Sequence, residues 1–142
     1  MPRPALLLGA LVLWLLAGCA AIQDPLAGAT ELRPGRPYEV MTPGMHYFTF
    51  TLAAPARVVL ESDVFPGDMT AVDPIGELLD SEGRTVVLDR LGGSGSNFRI
   101  EERLAAGTWY LRVHDPQACF SVWHCDDDHR YAVVLTLEDD TE

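Results

Sequence analysis

The residues best suited to chemistry are concentrated between His114 and His129, near the end of the chain. This stretch holds two of the three cysteines, three of the four histidines and three consecutive aspartates. Such side chains bind zinc or calcium, and a pair of cysteines can instead form a disulfide. The stretch lies between two strand-like segments and is long for a hairpin connection. Because long loops often carry function, it is the first candidate for a site.

The two cysteines of this loop, Cys119 and Cys125, favour a disulfide over a metal site. Five residues separate them, whereas zinc-binding cysteines are usually about two to four residues apart. In an extended chain His124 would also point away from its neighbour Cys125. Disulfides persist in exported proteins. We therefore predict a Cys119–Cys125 disulfide, which by the chain-entropy model stabilises the fold by about 2 kcal/mol. A zinc site that uses these thiols is the alternative.

The predicted ring carries apolar and aromatic side chains that must pack on the domain or face a partner. We take Phe120, Trp123 and His124 as the candidate binding loop. An acidic run follows it and could bind a hard cation such as calcium through its oxygens. It lacks the alternating spacing of an EF-hand loop, and a solvated acidic turn is the simpler interpretation. The weak metal candidates are Asp126, Asp127, Asp128 and His129.

Support for catalysis is thin. Residues 92–96, Gly-Gly-Ser-Gly-Ser, differ by one residue from a nucleophile elbow, because Ser96 stands where that motif has glycine. The strand-to-helix context of the motif is also missing. A flexible loop is the simpler interpretation. We therefore predict that the protein is not an enzyme and has no catalytic residues.

The start of the chain has the three parts of a secretory signal. Arg3 supplies a positive charge, residues 5–17 are apolar, and small residues follow. A membrane-spanning helix needs about 20 apolar residues, and this stretch is shorter. The sequence therefore predicts export.

The end of that signal, Leu16-Ala17-Gly18-Cys19, resembles the lipobox of bacterial lipoproteins. The resemblance implies a diacylglyceryl group on the Cys19 thiol, cleavage before Cys19 and usually a third acyl chain on the new amine. One chain gives an affinity of only about 10⁴ M⁻¹, so stable anchoring needs at least two. Ala20 in place of aspartate implies sorting to the outer membrane. We expect the membrane to be a partner through Cys19.

The composition limits the partners of the mature chain. All 10 basic residues are arginine, and with 21 acidic residues the formal net charge is -11. An acidic surface argues against nucleic acid and against a polybasic membrane contact. A periplasmic or envelope protein remains a candidate partner. We divide the chain into a signal peptide (1–18), a lipidated tether (19–30) and one domain (31–142).

The segments that must position the candidate loop are predicted to be short strands. Apolar residues alternate with polar ones around Phe48 and Phe50, around Leu111 and Val113, and again near the end of the chain. Turn residues such as those at 80–83 separate the runs. Period-two runs with regular turns are typical of a β-sandwich. The sequence predicts an all-β, antiparallel, jelly-roll-like sandwich.

Three stretches, residues 47–52, 73–83 and 106–113, resemble the bacterial pre-peptidase C-terminal domain family. The resemblance spans about residues 31–138, and the Gly107-Thr108-Trp109 strand is its most specific part. It implies a non-catalytic β-sandwich module of a kind usually appended to secreted proteases. Relatives in collagenases bind substrate and calcium, but their calcium ligands cannot be placed on this sequence. We expect this module to act without an attached protease domain.

Two functions follow from these observations. The first is a membrane-anchored periplasmic lipoprotein that carries a non-catalytic binding or structural module. The alternative is a lipoprotein that binds calcium or zinc through the acidic Cys/His loop. No cofactor is expected under the first hypothesis. Calcium is the one cofactor that the sequence leaves open.

Overall fold

The computed structural model describes residues 24–64, 72–116 and 130–138. Within these ranges the chain forms one short 3₁₀ helix, Pro25–Gly28, and nine strands. No helix in this part of the chain is long and apolar enough to cross a membrane. The strands are β1 (Thr30–Glu31), β2 (Tyr38–Val40), β3 (Met45–Leu52), β4 (Ala56–Val64), β5 (Ile75–Leu79), β6 (Thr85–Asp89), β7 (Arg99–Leu104), β8 (Gly107–His114) and β9 (Tyr131–Glu138).

The strands form two sheets that pack face to face. The first sheet has the order β1-β3-β8-β5-β6, and the second has the order β2-β9-β4-β7. The short β1 pairs with β3 in parallel, and the other pairings are antiparallel. Early and late strands alternate in the second sheet and in the β3-β8-β5 part of the first, which is the arrangement of a jelly roll. The predicted antiparallel β-sandwich is confirmed.

The alternating pattern forms these strands because one side of each strand faces the other sheet. On β3 the predicted face of Phe48, Phe50 and Leu52 is buried, at 1%, 2% and 4% exposure. The inward residues of the remaining strands complete a single apolar core between the sheets. Its most completely buried members include Leu60, Leu78, Phe98, Leu111, Val113, Val133 and Leu135.

The turn predicted at residues 80–83 is present between β5 and β6. Gly83 has φ of 78° and donates its N–H to the Asp80 carbonyl at 3.0 Å. The Asp80 carboxylate accepts a hydrogen bond from Arg84 N at 3.0 Å. An aspartate that bonds to its own turn and a glycine with positive φ are the features that fix such a turn.

Trp109 lies at the margin of the core rather than at its centre. It is only partly buried and packs against the core cluster. Its indole N–H donates to the Ala105 carbonyl at 3.0 Å. A margin position lets the apolar ring pack while the polar N–H finds a partner.

The N-terminal segment of the described chain is attached to the first sheet. The 3₁₀ helix begins after Asp24, whose side chain accepts a hydrogen bond from Leu26 N at 3.0 Å. A methyl group on Gly83 would lie 3.1 Å from Leu26 Cδ1, so Leu26 packs at the β5–β6 turn. Thr30 then pairs with Phe48 on β3. The structured part of the chain thus includes residues that the sequence assigned to a tether over 19–30.

The packing of β5 against Phe98 generates a test of the core. A Cβ on Gly76 would lie 2.5 Å from Phe98 Cδ2, and the Phe98 side chain is fully buried. Because the ring cannot move into solvent, we expect Gly76→Ala to lower the free energy of unfolding by about 1–3 kcal/mol. Urea denaturation measures this.

The matched control is Gly28→Ala, because nothing lies within 4 Å of a Cβ at that position. We expect it to leave the urea midpoint almost unchanged. Equal midpoints for the two variants would contradict the packing described here.

Candidate functional site

The site residues predicted from the sequence lie outside the described ranges. They are Cys19, Cys119, Phe120, Trp123, His124, Cys125, Asp126, Asp127, Asp128 and His129. What the structure describes is the base of the candidate loop. This base consists of residues 114–116, at the end of β8, and residues 130–131, at the start of β9.

The loop base joins the two sheets. β8 is the central strand of the first sheet, whereas β9 lies inside the second sheet, between β2 and β4. The candidate loop, which the sequence showed to be long for a hairpin connection, therefore begins in one layer and ends in the other.

Two polar side chains of the loop base are buried. Asp115 is 6% exposed and Tyr131 is 1% exposed. The Asp115 carboxylate accepts a hydrogen bond from Asp73 N at 3.3 Å, just before β5. The Asp73 carboxylate in turn accepts a hydrogen bond from Arg90 Nε at 3.0 Å. The loop base is thus tied to the segments on either side of the β5–β6 hairpin.

Burial changes the pKa of Tyr131 in the loop base. Desolvation, and secondly the negative charge of Asp115, raise the pKa of Tyr131 well above its usual value.

Within residues 24–64, 72–116 and 130–138, no hydrogen-bond partner is found for Tyr131 OH, His114 Nδ1 or Asp73 Oδ1. Buried polar atoms are usually paired, so these three atoms are exceptions within the described part of the chain.

The described part of the loop base was compared with the ligand sets that metal ions need. Among the residues that the structure describes, no three His, Cys, Asp or Glu side chains lie close enough together to bind a metal ion. The metal hypothesis for residues 126–129 concerns positions outside that part and stays a prediction.

A second polar cluster, which the sequence analysis missed, lies in the first sheet. Glu77 on β5 is only 5% exposed and stands directly opposite Arg112 on β8. Arg112 Nε donates to the Glu77 carboxylate at 2.7 Å, and the Thr85 hydroxyl donates to its other oxygen. The signal in the sequence was a glutamate inside an apolar strand and an arginine at a polar position of another strand.

The cluster keeps Glu77 ionised. Burial by itself would raise the pKa of Glu77, but the hydrogen bonds from Thr85 and Arg112 outweigh it and lower the pKa overall. The same contact raises the pKa of Arg112. A carboxylate held in this way is a poor proton donor or acceptor near neutral pH. The pair therefore connects neighbouring strands and is unsuited to acid–base catalysis.

The glycine-serine segment at residues 92–96 is also held by hydrogen bonds. Ser96 Oγ donates to the Val72 carbonyl at 2.9 Å, and Gly93 N donates to the Asn97 carbonyl at 2.9 Å. The Asn97 side chain accepts a hydrogen bond from Ser62 Oγ at 3.0 Å. The segment that the sequence suggested as a flexible loop is thus joined by hydrogen bonds to Val72 and to Asn97. Ser96 is engaged with a backbone carbonyl.

No family model matches this sequence. No curated protein matches it either. Among solved structures, it is similar to the pre-peptidase C-terminal domain of a collagenase from Bacillus anthracis. The TM-score is 0.55 at 12% identity, over 76% of this chain and 94% of that domain. The chain shares the fold of that domain.

A second solved structure, the mitogen of Yersinia pseudotuberculosis, is less similar. The TM-score is 0.45 at 12% identity, over 75% of this chain and 88% of that protein. The similarity to the collagenase domain confirms the fold that the family resemblance implied. Likeness at such low identity shows the fold alone.

The Glu77–Arg112 cluster generates a pH-dependent prediction. Replacing Glu77 by Gln removes a charge-assisted bond and should lower the free energy of unfolding by about 1–3 kcal/mol at neutral pH. Folding lowers the pKa of Glu77 from a usual value of 4.5. The stabilisation is therefore present above that value and is lost as the pH falls through the folded pKa. Urea titrations between pH 7 and pH 3 should show the two proteins converging in acid.

Glu82→Gln is the control, because the Glu82 side chain is 66% exposed where it pairs with Arg84. Exposed ion pairs contribute about 0–1 kcal/mol. If Glu77→Gln had no larger effect than Glu82→Gln at neutral pH, the cluster would not hold the sheet together.

Proposed function

We propose that this protein is a lipoprotein, anchored to the membrane through lipid on Cys19, whose β-sandwich is a non-catalytic binding or structural module. The observation that supports the module is the jelly-roll fold, which this chain shares with the pre-peptidase C-terminal domain of a collagenase. The lipobox-like Leu16-Ala17-Gly18-Cys19 supports the anchor. The absence of aspartate after Cys19 supports the outer membrane, with the domain in the periplasm.

The chemistry of the described residues supports a role in binding rather than catalysis. Glu77 is held ionised by Arg112 and Thr85, and the Ser96 hydroxyl bonds to a backbone carbonyl. Neither arrangement activates a nucleophile or tunes an acid–base group. We place the binding surface at the loop that starts from Asp115, with Phe120, Trp123 and His124 as its contact residues.

The alternative, metal binding by the same loop, has one supporting observation. The loop base contains a buried carboxylate, Asp115, close to Asp73 N at 3.3 Å. Carboxylate oxygens are calcium ligands, and residues 126–128 would add three more carboxylates. Metal binding therefore remains the second candidate.

The anchor is tested by substituting the lipidated residue. Cys19→Ser should abolish incorporation of labelled fatty acid and leave unprocessed precursor, because the thiol is the acceptor of the diacylglyceryl group. Cys125→Ser is the matched control and should keep its lipid. Wild-type protein without labelled lipid would refute the anchor. Labelled protein that fractionates with the inner membrane would refute only the sorting to the outer membrane.

The loop hypotheses are separated by thiol titration of denatured protein purified without reductant. With Cys19 modified by lipid, the disulfide hypothesis predicts no reactive thiol, because Cys119 and Cys125 are oxidised. Two reactive thiols together with stoichiometric zinc would contradict it and support a thiol metal site. For the calcium hypothesis the measurement is the melting temperature, which calcium should raise if it binds only the folded state.

A further inference from the structure

Three exposed apolar side chains lie on β2, on β3 and in the connection between them. Tyr38 is 40% exposed, Met41 is 58% exposed and Met45 is 51% exposed. Tyr38 and Met45 share a cleft of about 230 Å³ with Pro25 and Gly28 of the 3₁₀ helix. Met41 belongs to the short connection between β2 and β3. We call Tyr38, Met41 and Met45 the tether-side patch.

Two arginines border this patch. Arg33 and Arg36 line an adjoining groove of about 440 Å³ together with Tyr38, Glu31 and Glu39. The Arg33 side chain is 67% exposed and its guanidinium lies 3.9 Å from the Glu31 carboxylate. Tyrosine is enriched at the boundary between lipid tails and headgroups, where its ring is buried and its hydroxyl is wet. Arginine beside it can pair with lipid phosphates. An apolar centre with a rim of mixed charge, in which arginine is present, can contact the boundary between lipid tails and headgroups.

The position of the patch relative to the proposed lipid anchor is restricted. The chain is fixed to the first sheet at Pro25–Gly28, where Leu26 packs at Gly83. From Cys19 to Asp24 the chain advances by five residues, and even fully extended it spans only about 17 Å. An anchored domain therefore cannot move far from the bilayer, and the side that carries Pro25 is the one that the tether holds near it.

We propose that the tether-side patch lies against the lipid surface when Cys19 is lipidated. This inference rests on the proposed lipid anchor and adds to it the orientation of the domain. The short tether keeps the patch at a high effective concentration near the bilayer, so that a weak apolar contact is enough to be occupied. The patch adjoins the candidate loop base, because Met45 pairs with His114 and Val40 pairs with Tyr131.

Hydroxyl-radical footprinting of the lipidated protein in phosphatidylcholine vesicles tests this orientation. We expect labelling of Tyr38, Met41 and Met45 to fall about two- to threefold relative to a matched variant with a longer tether, because contact with the bilayer shields one side of each residue. The variant carries an insertion of about ten Gly and Ser residues between Gln23 and Asp24, which lets the domain leave the surface. Leu88 and Leu91, which are 59% and 62% exposed on and after the edge strand β6, are internal controls.

A second variant tests the role of the docked segment. Leu26→Asp should release the 3₁₀ helix from the β5–β6 turn, lengthen the effective tether and raise labelling of the patch towards the level of the insertion variant. The mass of the N-terminal peptide reports lipid attachment independently. Lipidated protein whose patch is labelled equally with the short and the long tether would overturn the orientation and leave the anchor intact. Protein without lipid would overturn both.

Discussion

The pairing of β8 with β3 on one side and with β5 on the other is the interaction on which the rest of the structure depends. β8 pairs with β3 from Met45↔His114 to Leu52↔Gly107, and with β5 from Ile75↔His114 to Leu79↔Tyr110. Both partners are distant in sequence, so the pairing joins three separate parts of the chain into one layer. The inward residues Leu111 and Val113 of β8 are fully buried against the second sheet.

The same pairing determines where the polar residues of β8 and its end lie. Alternation along the strand places Arg112 on the side opposite to Leu111 and Val113, directly across from Glu77. The end of the strand places Asp115 at the base of the candidate loop, where it is 6% exposed. One strand thus contributes the core, the buried ion pair and the attachment of the loop, and a shift of one residue in its register would disturb all three.

Much of the fold was readable from the sequence, because a period of two in apolar residues reports which side of a strand is buried. The face of Phe48 and Phe50 and the turn at Gly83 were predicted in this way. Alternation does not specify partners, so the order of strands was not predicted. The buried state of Glu77 was missed because it depends on Arg112, 35 residues away. The helix at Pro25–Gly28 was missed because four residues are too few to show a helical period, although Asp24 followed by a proline is a signal for a helix start.

The most direct test of this account is the set of cross-strand nuclear Overhauser effects from β8. β7 and β8 are joined by only Ala105 and Ala106, so a simple hairpin between them is the competing arrangement. The jelly roll instead predicts backbone contacts from Leu111 to both Phe48 and Leu78. Observing both contacts would establish β8 as the central strand of the first sheet. Backbone contacts along the length of β7 and β8, without those to Phe48 and Leu78, would contradict the fold and the positions of the ion pair and the loop base that depend on it.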